Sequence, residues 1–128
     1  MSKTEKRYGL IDSGATHNVR ELKENEDYKG LFPIEVEVAF NSEVKIALFM
    51  NRRGTIIGPE GTETIVCMND LAKAGWKVHW EKEGIKITKG KVVLPIELRS
   101  GQPVLPNEVC LQLIDEIEEA KARRMMAL

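Results

Sequence analysis

The chain is short of the residues that build metal centres and disulfide frameworks. Cys67 and Cys110 stand far apart, in no metal-ligand spacing and with neither of the two histidines positioned to complete a site. No metal site is therefore expected at them, and two buried thiols in a reducing compartment fit better than a disulfide. No apolar run approaches the ~20 residues that span a bilayer. The N-terminal stretch Ser2-Lys3-Thr4-Glu5-Lys6-Arg7 is charged where a signal peptide is apolar. A membrane partner is thus not expected, and a cytoplasmic location is. Charge of one sign is lacking too: 19 basic against 20 acidic residues leave a net −1. That balance argues against a nucleic-acid partner held by a general basic field.

What is present is the composition of a globular protein, 42% hydrophobic and 30% charged over 128 residues. Such a length predicts one domain with a modest core, too small for two lobes that each bring a catalytic group. The chain is organised around Leu10-Ile11-Asp12-Ser13-Gly14-Ala15-Thr16. Two apolar residues deliver a lone carboxylate into a turn of small residues. Gly14 is expected to let the backbone bend, while Ser13 and Thr16 hydrogen-bond back to the turn and orient the carboxylate. A single carboxylate is a poor catalyst of amide hydrolysis. Two that share one proton supply an acid and a base together, because like charges so close cannot both ionise.

Residues 16–30 are polar with no steady period and predict a surface loop with room for one helical turn. From Pro33 the period becomes two. Residues 34–40 and 44–50 predict a hairpin with its turn at Asn41-Ser42-Glu43, and Glu35, Glu37 and Lys45 share its polar face. Asn51-Arg52-Arg53-Gly54 predicts a second turn whose arginines are simply solvated. A short strand over 55–57 and a loop over 58–62 follow. Ile65-Val66-Cys67 then leads into a short helix stopped by Gly75. Trp76, Val78 and Trp80 alternate along a further strand, and 85–87 return beside it. Residues 92–98 predict an apolar strand that Pro95 makes an edge or a bulge. Pro106-Asn107 begins a helix with Asn107 as N-cap. Its stripe of Val109, Cys110, Leu113, Ile114, Ile117 and Ala120 needs a surface to cover, its own subunit's or a partner's.

Asp12-Ser13-Gly14-Ala15 resembles the active-site signature of retropepsins, the aspartic proteases of retroviruses and LTR retrotransposons. The longer LIDSGATH is similar to retrotransposon versions. A second similarity begins at Ile65-Val66-Cys67 and continues through Leu71, Gly75, Trp76, Val78 and Trp80, a pattern shared with copia-type and gypsy-type elements. The resemblance covers residues 8–80, with 81–128 as a strand-and-helix extension of a single domain. It implies a mainly β fold, the closed β-barrel half of an acid protease. A flap hairpin would lie between the two motifs and a short helix after the second. It also implies a homodimer in which each subunit gives one catalytic aspartate, here Asp12. Ser13, Gly14, Ala15 and Thr16 would support the active-site loop. His17, the flap residues Asn41, Ser42 and Glu43, and Ile65 and Val66 would bind substrate, with Asn18 beside His17 along the cleft. The implied substrate is a polypeptide, a retroelement polyprotein, cut in the cytoplasm or inside retroelement particles with no metal or organic cofactor needed.

Three features depart from that family. Cys67 stands where glycine is usual, and any requirement for positive φ there would exclude it. Met68 and Thr16-His17 occupy the positions of a stabilising arginine–carboxylate pair. The flap turn has no glycine. Cys67, the missing ion pair and the short N-terminal arm keep a catalytically silent dimerisation or binding domain of the same fold as an alternative. A fragment of an actin-like phosphotransferase, whose phosphate loops also begin D-x-G, is disfavoured by the absence of a second phosphate loop.

Overall fold

The computed structural model describes residues 7–38 and 41–126. Its strands are β1 (Tyr8–Asp12), β2 (Val19–Glu21), β3 (Phe32–Val38), β4 (Asn41–Met50), β5 (Ile56–Gly58) and β6 (Ile65–Cys67). Helix α1 (Met68–Lys73) follows, then β7 (Lys77–Glu81), β8 (Gly84–Lys89), β9 (Val92–Val93), β10 (Glu97–Arg99) and β11 (Gln102–Pro106). Helix α2 (Asn107–Met126) ends the described chain. The fold is mainly β. Eight strands form one sheet in the order β10-β11-β1-β6-β2-β5-β4-β3, and β7-β8-β9 form a second. The first sheet is open: β10 and β3 are unpaired edges among the described residues, where a closed barrel was expected.

Strand β1 holds a central place because both neighbours are apolar. It runs parallel to β6, with Asp12 opposite Cys67, and antiparallel to β11, with Gly9 opposite Leu105. Gly9 is there because α2 lies directly on it. A Cβ at this position would stand 2.6 Å from Cys110 Sγ, closer than any packed pair of atoms tolerates. The helix stripe is consumed inside the chain. Cys110, Leu113, Ile114 and Ile117 join Ile11, Val66, Leu71, Trp76, Ile87 and Leu105 in one core. Each such side chain contributes roughly 1.5–3 kcal/mol on burial. The Cys110 thiol is pushed up to about 11 by that burial, against a hydrogen bond from Gly9, and so stays protonated and inert.

Several local expectations are corrected. Asn107 does not act as a cap through its side chain: its Oδ1 is buried without a partner, and its N–H donates to Arg7 O at 2.9 Å. The predicted strand over 92–98 is split, because Pro95 lacks the N–H a ladder needs. Leu94 turns into the core, leaving β9 in the small sheet and β10 in the large one. Residues 102–106, for which no strand was expected, form β11. Ser100 and Gly101 before it have φ of 51° and 78°, the left-handed pair of a two-residue hairpin turn. The polar stretch after the motif contains β2, anchored by a buried arginine. In the long hairpin Asn41, Ser42 and Glu43 belong to strand β4, not to a turn. Residues 39 and 40, expected to end the preceding strand, lie outside the described residues, as do Ser2–Lys6. Glu37 faces Lys45 in register, while Glu35 faces Ala47. No helix among the described residues is long and apolar enough to cross a membrane.

Candidate active site

Asp12 ends β1 half-buried, and the chain turns immediately after it. The Gly14 N–H donates to Asp12 Oδ1 at 2.8 Å, and the Ala15 N–H reaches Asp12 O at 3.4 Å. This Asx turn fixes the carboxylate from the backbone. The hydroxyls expected to do so have other positions. Ser13 is exposed, and Thr16 Oγ1 pairs with His17 Nδ1 at 2.9 Å. Gly14 itself is not in the left-handed region, and a Cβ there would meet only Asp12 Oδ1, at 3.4 Å. Its smallness therefore keeps the face of the carboxylate open.

Cys67 is the second anchor. It has φ −72° and ψ 114°, ordinary extended backbone, so this position makes no demand that only glycine meets. Its Sγ donates to Ala15 O at 3.1 Å, and its N–H donates to Asn18 Oδ1 at 2.7 Å. Asn18 is wholly buried, and its carbonyl accepts from Ile56 N–H at 2.8 Å. It is thus a strut between β6 and β5, not a cleft residue beside His17. The end of β6 and the loop after Asp12 are bolted together by a thiol and a buried amide, with no ion pair between them.

The ion pair of this region lies further along. Arg20, 3% exposed on its side chain, grips Glu26 with both forks at 2.7 and 3.0 Å and also donates to Glu21 O. Burial works against the Arg20 charge, but the Glu26 hydrogen bond and the charges of Glu26, Glu118 and Asp115 outweigh it and raise its pKa. Arg20 holds the Glu26 carboxyl below its ordinary range, against partial burial and with help from the Lys23 N–H. Glu21 is lowered as well, first by the Gly61 N–H and then, against burial, by Arg7.

Asp12 opens into a cleft of about 360 Å³. The structure brings Asp12 and Ser13 together there with Met68, Trp80, Ile85, Leu98 and Gln102. Trp80 is 69% exposed and Leu98 47%, so the wall beside the carboxylate is apolar and open. Trp76, four residues earlier, is core instead, because β7 begins only at Lys77. Gly84, with φ 137°, lets the β7–β8 turn press on Leu98. His17, Ile65 and Val66 do not line this cleft. Val66 is fully buried core, Ile65 is half-buried in β6, and His17 lies beside Gly54. The side chains of Asn41, Ser42 and Glu43 lie outside the described residues. The walls that sequence reasoning missed come from β8, β10 and β11, and the exposed Trp80 was legible only as part of a strand pattern. No group of three or more potential metal ligands occurs among the described residues. The chain matches no protein-family model, and no curated protein or solved structure matches it either.

Proposed function

We propose that the chain is an aspartic endopeptidase of the retropepsin type, active as a homodimer that processes a retroelement polyprotein. One observation carries this reading. Asp12 is the only carboxylate among the described residues lining its cleft, and it is held for chemistry by a backbone N–H rather than by a cation. A dyad then needs the Asp12 of a second copy. With one proton shared between the two, one carboxylate takes a proton from water as the water attacks the peptide carbonyl. The protonated partner donates to the carbonyl oxygen, and a final proton transfer releases the amine. Exposed Ser13 is free to brace the two loops across the dimer axis. Trp80, Ile85 and Leu98 offer apolar surface to side chains of a polypeptide.

The ordinary backbone of Cys67 removes one objection to activity, since the residue fits without strain. The test is cleavage of an unfolded substrate, with pepstatin as inhibitor, by the natural chain and by Asp12→Asn. Asparagine keeps an oxygen for the Gly14 N–H, so the fold should persist while hydrolysis falls by about 10⁴ or more. The rate should be bell-shaped with an acidic optimum. Wild-type activity in the asparagine variant, or a rate that climbs steadily into alkali, overturns the proposal.

A further inference from the structure

A second concave site lies at the C-terminal ends of the two helices. Its volume is about 370 Å³, and Arg52, Arg53, Lys73, Lys121 and Arg124 line it around a single carboxylate, Asp70. Three separate elements bring these cations together. Arg52 and Arg53 sit on a turn fixed by Asn51, whose Oδ1 accepts from the Arg53 and Thr55 N–H groups at 2.9 and 3.0 Å. Lys73 closes α1, and Lys121 and Arg124 lie in the last turns of α2. Lys121 joins all three: its Nζ donates to Arg53 O at 3.0 Å and lies 2.9 Å from Asp70 Oδ2.

Cations at helix C-termini often do no more than complement the helix dipoles. Here that explanation falls short. Two helix ends carry about −0.5 charge each, and Asp70 adds one negative charge against five positive ones. With Glu118 of α2 counted as well, since its bonds to the neutral Asn51 and Thr55 leave its charge in place, about two positive charges stay uncompensated. Glu118, just before Lys121 on α2, gives its Oε2 to Asn51 Nδ2 and Thr55 Oγ1. Arg52, Arg53, Lys73 and Arg124 form no ion pair among the described residues. Elsewhere the charges are mixed: Glu21, Glu24, Glu26 and Glu60 line a different cleft together with Lys23, and Glu21 and Glu26 are paired to Arg7 and Arg20.

We infer that this pocket binds the phosphate backbone of a single-stranded nucleic acid, a function separate from the chemistry at Asp12. Arginine forks match phosphate oxygens in pairs. Closely spaced cations suit a polymer that carries a charge on every unit, as each nucleotide of a strand does. The lining contains no aromatic ring on which a base could stack, so recognition is of the backbone and independent of sequence. A concave pocket of this size admits a flexible strand, whereas a duplex presents a broad convex face.

The test is fluorescence anisotropy of a labelled oligouridylate with the full chain over a salt series. Four phosphate contacts predict a slope of log K against log salt near −3, about −0.7 per contact. The exposed triple variant Arg52→Glu/Lys73→Glu/Arg124→Glu should bind at least about tenfold more weakly with an unchanged melting profile. Asp12→Asn should bind as the natural chain does, whichever way the protease test falls. Binding that is insensitive to salt, or unchanged in the triple variant, overturns the inference. So does equal competition by polyglutamate, which would assign the pocket to acidic peptides.

Discussion

The two flanks of β6 are built differently. On one side lie β1, β11 and β10, with the β7–β8 hairpin against them; on the other lie β2, β5, β4 and β3. The first flank ends in apolar residues left open to solvent, Trp80 and Leu98, around one carboxylate. The second closes its charges on each other, Arg20 with Glu26 and Glu21 with Arg7 and the Gly61 N–H. The lesson concerns the hairpins. The resemblance to retropepsins implies substrate contact by β3–β4, the hairpin between the two motifs. In space, β6, β2 and β5 separate that hairpin from β1, and the β7–β8 turn stands beside Asp12.

The largest effect that would sharpen this comparison is expected on the second flank. Glu26→Gln leaves Arg20 buried beside a neutral partner and should cost about 3 kcal/mol at neutral pH, lowering Tm by about 10 °C. Because the folded pKa of Glu26 lies below its unfolded value, the stabilisation is present above about pH 4.3. It is lost as pH falls through the folded value. Urea denaturation at pH 7 and at pH 3 should therefore show the gap between the natural chain and the variant narrowing in acid. A gap independent of pH would mean that the pair is not charged as described.

Next comes a test that could break the comparison. Trp80→Ala should lower kcat/KM for peptide cleavage about thirtyfold, with Tm held within about 2 °C because the ring is exposed. Ser42→Ala should change kcat/KM less than about threefold. The reverse order of effects would return the binding role to β3–β4.

A smaller change is expected from Gly84→Ala, which combines a left-handed φ with a Cβ 2.9 Å from Leu98 Cδ1. The loss should be about 1–2 kcal/mol. Adding Leu98→Ala should recover only the steric part, since the backbone strain remains. Complete recovery on denaturant melts would show that φ at this position is unstrained.

Smallest of all is Cys67→Ala, which removes the donor to Ala15 O and should cost about 1 kcal/mol. A twofold to fivefold fall in cleavage rate, about 0.5–1 kcal/mol, should accompany it if the bond steadies the loop after Asp12. An unchanged rate would leave the Gly14 bond as sufficient.

Much of this architecture was legible in the chain. Period-two alternation marked β3 and β4, Gly75 stopped α1 with its φ of 104°, and the spacing of Leu113, Ile114 and Ile117 gave the buried face of α2. Asp12 was legible as a lone carboxylate in a turn. The misses have physical causes. β11 holds two prolines, which read as breakers, yet Pro103 and Pro106 fit an antiparallel ladder at these positions. β2 is only three residues long and carries a buried arginine, which no periodicity rule expects inside. Asn18 looked like a polar loop residue because its partner, the Cys67 N–H, is 49 residues away. Cleft walls made by β8, β10 and β11 could not be placed without the long-range pairing of β11 with β1.

That pairing also sets a schedule. Strand β1 emerges from the ribosome about a hundred residues before its antiparallel neighbour is synthesised. Until β11 and α2 are free to fold, the edge of β1 is bare and Gly9 has no helix over it. A nascent or C-terminally shortened chain therefore carries Asp12 on an unfinished sheet. Completion of the site waits on the synthesis of β11 and α2, and until then the carboxylate stands at the edge of an open sheet.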